Sequence, residues 1–305
     1  MKEIVLKIQD FLKEAEKPLV VILGPTASGK TALSVELAKE FNGEIVSADS
    51  RQIYRGLDIS TAKISKKEQG GVPHHLIDVA DPDEVFTLAD YQEKAFETID
   101  DILRRGKTPF LVGGTGLYIS AITENYQIPK TPQSKGIRLK IEKELEEKGA
   151  ENLYERLKKL DPEAVAAFSP NNHRYLIRAL EIVESTKKTK TELAKKGRKL
   201  YDALKFGIYW SREKLYERID RRTLQQIESG LIEEVQNLVD KYSPPLPAMT
   251  SIGCKEVIPF LEGKVSKEEL IEKLQQNNRN YAKRQLTWFR RDPEINWVSD
   301  EQLRT

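Results

Sequence analysis

Gly24-Pro25-Thr26-Ala27-Ser28-Gly29-Lys30-Thr31 sets two glycines, a lysine and a threonine at the spacing G-x-x-x-x-G-K-[ST]. That spacing suits a backbone loop that wraps a phosphate. Glycines let the main chain curl tightly, and its amides and the next helix N-terminus point positive charge at an anion. Lys30 can reach terminal phosphate oxygens, and Thr31 offers a hydroxyl to Mg²⁺. The apolar run Leu19–Leu23 reads as a strand before the loop, and Ala32–Phe41 as a helix after it. This strand–loop–helix order disfavours a chance match on a glycine-rich turn. The chain is therefore expected to grip a di- or triphosphate through Gly24, Pro25, Thr26, Ala27, Ser28, Gly29, Lys30 and Thr31.

Three further groups have types and positions suited to act on such a ligand. Asp49 follows a second buried-type strand, Glu44–Ala48, eighteen residues after the loop. A carboxylate there can face a bound phosphate and its Mg²⁺, or act as a general base; a turn-capping Asp is the plainer reading. Ser50, Arg51 and Gln52 extend the same polar cluster. Gly113-Gly114-Thr115-Gly116 closes the strand Thr108–Val112, where glycines permit close approach and Thr115 offers a hydroxyl. Arg218 and Arg222 lie four apart on one helical face, where either could neutralise charge developing on a leaving diphosphate. Their plainer reading is surface pairing with Glu217 or Asp220. His74 and His75 are adjacent, so on a strand they point to opposite faces and do not readily share a metal. No cluster has zinc-ligand spacing, and the histidines are expected to be structural or substrate-positioning.

The elements that must position these groups alternate strand and helix through the first half. Strands are expected at 19–23, 44–48, 108–112 and 205–210, with a short apolar piece at 74–79 and a helix at 88–105. Such alternation implies an α/β fold with a mostly parallel sheet, whose carboxyl ends gather the active groups. From about Pro129 to Lys199 the pattern turns wholly helical, with segments at 138–148, 152–160, 162–168 and 173–186 and prolines 129, 132, 162 and 170 between them. A helical insertion, residues 126–199, is expected inside a core made of 1–125 and 200–305. Long helices follow at 212–241, 255–263 and 267–291. Met1–Lys17 reads as a short amphipathic helix docked on the core.

Lys and Arg total 50 against 48 Asp and Glu, a net charge of +2 over 305 residues. Dense, balanced charge reads as a solvated surface, and the Lys, Glu and Arg enrichment with few Met and Cys as a weak thermophile signal. Cys254 is the single cysteine, so no internal disulfide forms, and a reducing, cytoplasmic setting fits. No stretch reaches the roughly 18 apolar residues of a membrane span. Charge is uneven along the chain. Seven basic residues and one acid, Glu192, fall between Lys187 and Lys199. Tyr281–Arg291 interleaves rings with cations. Both suit nucleic acid, with cations for phosphates and rings for stacking; a solvated face and a helix burying Tyr281, Leu286, Trp288 and Phe289 are the plainer readings.

These blocks together resemble the tRNA dimethylallyltransferases, also called tRNA isopentenyltransferases. The resemblance runs through Gly24–Thr31, Ile45–Lys63, Leu111–Ser120 and Tyr281–Arg290, with further fits at Arg174–Glu181, Arg218–Val235 and Ile252-Gly253. It covers about residues 19 to 291. It implies a phosphate-loop core, of the kind familiar from ATP-binding proteins, with an inserted all-helical domain that clasps a tRNA anticodon arm. It implies transfer of a dimethylallyl group from dimethylallyl diphosphate to N6 of the adenosine 3′ of the anticodon. Asp49 matches the family's general base, Thr115 a hydroxyl near the reacting centre, and Arg222 the arginine on the diphosphate. Lys30 and Thr31 match its phosphate and Mg²⁺ contacts, with Asp49 a second metal contact. Asp49, Ser50, Arg51, Gln52, Thr115, Arg138, Arg174, Tyr175, Arg178, Lys283 and Arg284 match its tRNA contacts. A cytoplasmic monomer with no membrane partner is expected. The chain departs from the family at Arg51, where many bacterial members have Met, and at Tyr175, where a basic residue is frequent. It departs again at Gln226, where Met is common, and at Asn278, where Thr is usual. A rival reading is a small-molecule or nucleotide kinase on the same scaffold, with Asp49 activating an acceptor hydroxyl; a third is a non-catalytic RNA-binding protein.

Overall fold

A computed structural model describes residues 1–128, 135–165, 169–189, 192, 196–242 and 246–304. Pro129, Pro132, Phe168, Lys190 and Lys195, which entered the expectations above, lie outside the described residues. The chain divides into two units, Met1–Thr123 with Lys199–Thr305, and Glu124–Arg198.

In the first unit the elements run α1 (Lys2–Glu14), β1 (Pro18–Leu23), α2 (Lys30–Glu40), β2 (Gly43–Ser47), α3 (Lys66–Gln69), β3 (His74–His75), α4 (Leu88–Arg104), β4 (Thr108–Gly113) and α5 (Gly116–Thr123). The second unit holds α6 (Lys135–Leu160), α7 (Pro162–Val165) and α8 (His173–Thr186). The chain then continues in the first unit with β5 (Asp202–Tyr209), α9 (Arg212–Glu228), α10 (Leu231–Lys241), a 3₁₀ turn at Ala248–Thr250, α11 (Cys254–Leu261), α12 (Lys267–Phe289), β6 (Ile295–Ser299) and α13 (Asp300–Arg304).

The strands form one sheet in the order β3-β2-β4-β1-β5-β6, and every pairing is parallel. The α/β class with a parallel sheet is therefore as the alternation predicts. β1 is buried along nearly its whole length because its side chains serve two cores. Leu19, Val21 and Leu23 join Tyr91, Ala95, Ile99 and Ile102 of α4 and Tyr118, Ile119 and Ile122 of α5. Val20 and Ile22 join Ile4 and Ile8 of α1 and Leu33, Leu37 and Ala38 of α2 on the other side. Successive strand residues point to opposite faces, so an unbroken apolar run is what a sheet covered on both faces requires. Each fully buried aliphatic side chain contributes roughly 1.5–3 kcal/mol.

All carboxyl ends of a parallel sheet lie along one edge. β1 pairs with β4 on one side and β5 on the other, so the chain changes direction around β1. That crevice is where open α/β sheets bind ligands. The phosphate loop follows β1, Asp49 follows β2, Thr115 follows β4 and Trp210 follows β5.

Three elements differ from the sequence expectation. The helix expected over 212–241 is two helices, since Gly230 adopts a left-handed conformation (φ 98°) between α9 and α10. The 74–79 piece shortens to His74–His75, with Leu76 and Asp78 at positive φ. β6, for which the mixed run Ile-Asn-Trp-Val-Ser carries no strand signal, adds an edge strand beside β5. Lys205 of β5, 1% exposed, is held there by Asp292 at 2.8 Å and Glu294 at 2.9 Å, both just ahead of β6.

In the second unit Ile141, Leu153, Leu157, Leu176 and Leu180 make a separate core. Gly149 (φ 78°, ψ 168°) interrupts α6 between the two segments expected at 138–148 and 152–160. Arg156 bridges Glu144 at 2.5 Å and Glu184.

Candidate active site

The phosphate loop is held from outside by residues far along the chain. Ala27 and Gly29 both take positive φ, 62° and 93°. Trp210 Nε1 donates to the Ser28 carbonyl at 2.8 Å, and Arg218 Nε donates to the Ala27 carbonyl at 2.7 Å. The Arg218 guanidinium stacks 4.2 Å over the Trp210 ring. In a trans peptide the carbonyl and the following amide point opposite ways, so fixing the Ser28 carbonyl on Trp210 aims the Gly29 amide away from it. Arg218 thus holds the loop's Ala27 carbonyl rather than lying only on the helix surface. Asp220 pairs with Arg279.

Gln285 of α12 ties this loop to the strand end beside it. Its Oε1 accepts from the Thr26 amide at 2.8 Å, and its Nε2 donates to the Gly114 carbonyl at 2.8 Å. A Cβ on Gly114 would sit 2.3 Å from that Nε2, and one on Gly113 would sit 2.1 Å from the Ala48 carbonyl oxygen. Glycine is required there because the β2 and β4 termini must touch. The Thr115 amide donates to Ala48 at 3.1 Å, and its hydroxyl accepts from the Ser50 amide at 3.0 Å.

Asp49 caps its own turn and faces the cleft. Its Oδ1 accepts from the Arg51 amide at 2.9 Å and, at 3.4 Å, from the Gln52 amide. Both bonds fall on one oxygen, so the capping reading holds and leaves room for the functional one. The cleft, with about 260 Å³ of internal room, is lined by Thr26, Ala27, Lys30, Thr31, Asp49, Ser50, Arg51, Gln52, Arg222, Gln226, Tyr281, Arg284 and Gln285, among others. A second cleft of about 340 Å³ shares Ala27, Lys30, Thr31 and Arg222 and adds Gly29, Arg218, Arg221 and Gln225. Three arginines, Arg218, Arg221 and Arg222, therefore stand beside the loop and its own Lys30.

Charge in the cleft is tightly coupled. Enclosure of the Lys30 ammonium lowers its pKa to about 8, with Asp49 opposing and Arg222 reinforcing the shift. Burial also lowers Arg222, again against Asp49. Burial pushes Tyr281 up to about 12, with Asp49 adding to the rise and a bond to Thr115 opposing it. A protonated Lys30 is the form that attracts phosphate. Affinity for a diphosphate, and kcat/KM for a substrate carrying one, are therefore expected to fall as pH rises through about 8. Binding above that pH is expected to take up a proton. The sign follows from a depressed lysine: the cost to the unliganded fold is present below about pH 8 and relieved toward 10.5. Calorimetry in buffers of different ionisation enthalpy checks the uptake; affinity flat from pH 7 to pH 10 rules it out.

Arg222 Nη2 lies 3.4 Å from the Thr61 carbonyl, and Gln226 Nε2 donates to the carbonyls of Ile59 at 2.6 Å and Ser60 at 3.1 Å. The other departures from the family also find partners. Arg51 Nη1 donates to Thr250 Oγ1 at 3.0 Å, and Asn278 Nδ2 lies 3.5 Å from Thr223 Oγ1. In the Tyr281–Arg291 block Phe289 is buried and Tyr281 and Leu286 are half-buried, whereas Trp288 is 38% exposed, so the all-buried reading fails at Trp288. Lys283 is exposed, and Arg284 stacks 5.7 Å from the Tyr281 ring centre.

The remaining expected contacts belong to the second unit. Arg138 pairs with Glu142 at 2.8 Å and Arg178 with Glu181 at 3.0 Å. Tyr175 donates from its hydroxyl to the Ala164 carbonyl at 3.1 Å, and Arg174 is exposed. Two of the clustered lysines are ion-paired, Lys196 with Glu124 and Lys199 with Glu294, both at 2.9 Å. His75 Nε2 lies 2.7 Å from buried Glu44, which also holds Arg105 and Lys107, so its role is structural. Among the described residues no group of three or more His, Cys, Asp or Glu side chains could hold a metal ion.

Fold and site together define a phosphate-loop α/β protein with a carboxylate, a hydroxyl and two cations at one sheet edge. A family model described as IPP transferase matches residues 52–292. The tRNA dimethylallyltransferase of Oceanobacillus iheyensis is 45% identical over 288 residues, 94% of this chain and 92% of that protein. That of Bacillus subtilis is 44% identical over 288 residues, 94% of this chain and 92% of that protein. The solved tRNA isopentenylpyrophosphate transferase of Bacillus halodurans superposes with a TM-score of 0.70 at 44% identity, covering 93% of this chain and 90% of that one. A eukaryotic dimethylallyltransferase solved acting on tRNA reaches 0.75 at 31% identity, covering 93% and 74%. The chain belongs to the IPP transferase family, the tRNA dimethylallyltransferases.

Proposed function

We propose that this protein transfers a dimethylallyl group from dimethylallyl diphosphate to N6 of the adenosine 3′ of the anticodon in tRNA, releasing diphosphate. The observation that carries this reading is the meeting of Lys30, Arg222 and Asp49 in one cleft at the end of β1 and β2. The phosphate loop then holds a leaving group rather than a group to be transferred. The C1–O bond breaks with its electron pair leaving on diphosphate, the N6–C1 bond forms, and one proton passes from N6 to Asp49. Lys30, Arg222 and the loop amides stabilise the negative charge that builds on the leaving oxygen. The adenine amine is a poor nucleophile because its lone pair is delocalised into the ring, so it must be held close and aligned. Thr115 and Ser50 brace the turn that carries Asp49. A base in a single-stranded loop splays out at less cost than one in a duplex.

The oxygen donors present suit Mg²⁺. Thr31 and Asp49 line the same cleft, and Mg²⁺ is commonly held by one or two carboxylates together with substrate phosphates and water. When bound it would neutralise diphosphate charge. Among the described residues no helix is long and apolar enough to cross a membrane. With a single cysteine, and so no internal disulfide, we read the chain as cytoplasmic. A kinase needs neither the helical insertion nor the exposed ring and cations of α12.

Incubation of unmodified tRNA with the protein, dimethylallyl diphosphate and Mg²⁺ is expected to yield an N6-dimethylallyl adenosine on nucleoside mass spectrometry, with diphosphate released in equal amount. Unmodified nucleosides, together with ADP formed from ATP, would establish the kinase reading instead.

A further inference from the structure

We propose that Glu234 is a positioning residue that sets Arg222 and Gln226 at the cleft through the backbone of residues 58–61. Glu234 stands in the first turn of α10, after the break at Gly230. Its Oε2 accepts from the amides of Asp58 at 2.7 Å and Ile59 at 2.6 Å, and its Oε1 from the amide of Ser60 at 2.9 Å. One carboxylate thus gathers three consecutive amides.

The carbonyls of this segment face the opposite partners. Ile59 and Ser60 accept from Gln226, and Thr61 accepts from Arg222. The peptide joining Ile59 to Ser60 is gripped at both ends, its amide by Glu234 and its carbonyl by Gln226. A trans peptide points these groups in opposite directions, so anchoring the amide fixes where the carbonyl lies. Gln226 and Arg222 are four apart on α9 and share one face. Ser60, Thr61 and Ala62 of the same segment line the cleft with them. The carboxylate therefore reaches the diphosphate site through a peptide and not by contact with ligand.

Glu234→Gln is the informative change, because an amide has one acceptor oxygen and its NH₂ must face a backbone donor. The inference rests on the proposed diphosphate site, so the test reads binding without chemistry. Folded parent, Glu234→Gln and Glu234→Asp proteins are titrated with inorganic diphosphate, and separately with tRNA. Glu234→Gln is expected to weaken diphosphate binding about tenfold while tRNA affinity stays within about twofold. Glu234→Asp, which keeps the carboxylate, is expected to recover part of the loss. A general loss of packing lowers the folded fraction and weakens both ligands alike, or leaves the diphosphate Kd of the folded fraction unchanged. Either outcome overturns the proposal. If Glu234→Gln does not fold, Glu234→Asp decides alone, and an unchanged diphosphate Kd overturns it. A parent that binds no diphosphate sinks the site reading itself and is distinguishable from both.

Discussion

Asp49→Asn is expected to lower single-turnover prenyl transfer by about 10²–10⁴-fold while leaving the tRNA Kd within about threefold. Asparagine keeps an oxygen to accept from the Arg51 and Gln52 amides, so the turn after β2 survives. It cannot accept the N6 proton at neutral pH. The substitution also removes the negative charge that opposes the lowering of Lys30 and Arg222. Diphosphate binding should therefore weaken less than turnover, since loss of a repelling carboxylate favours an anion while a less protonated Lys30 disfavours it. Rapid-quench measurement of one turnover on prebound tRNA separates the two effects. A rate near that of the parent would show that another group takes the proton.

Arg222→Ala is expected to cost about 10²–10³-fold in kcat, or roughly 2.7–4 kcal/mol of transition-state stabilisation. Charge on the bridging oxygen grows only as C1–O breaks, so a cation aimed there acts mainly on the transition state. Arg222 is half-buried at the cleft, where it meets the Thr61 carbonyl and feels the charge of Asp49. Arg222→Lys should restore only part of the rate, because an ammonium lacks the planar fork of a guanidinium. Steady-state kinetics decide the matter. If KM for dimethylallyl diphosphate rises with kcat unchanged, Arg222 grips the ground state and has no special hold on the leaving group.

The departures from the family pattern gain a physical meaning in the fold. Gln226, where Met is common, makes two hydrogen bonds to the segment that Glu234 holds from the other side. Arg51 reaches Thr250, joining the turn that carries Asp49 to the chain ahead of α11. Each residue of this kind makes a local bond whose partner lies far away in sequence, and no spacing rule encodes that.

Groups whose chemistry is local were legible in the sequence. The phosphate loop is eight contiguous residues whose glycines and lysine are spaced to meet one anion, so spacing alone carries the expectation. Asp49 and Thr115 were legible because each follows a buried strand, and a parallel sheet gathers its strand ends on one edge. The kink at Gly149 falls where the helical pattern already breaks. What only the tertiary structure decided is which distant side chains hold these local pieces in place. Gln285 meets the loop across 259 residues and Arg218 meets it across 191, while Glu234 meets residues 58–60 across more than 170. On α12, Tyr281, Gln285 and Trp288 share a face by helical spacing, a signal that marks the face but not what it meets. Periodicity reports which residues lie on one side of an element, and packing alone determines what lies opposite. For that reason the loop and its place after β1 could be read from its residues, whereas the scaffold that brings Lys30, Arg222 and Asp49 into one cleft could be read only from the fold.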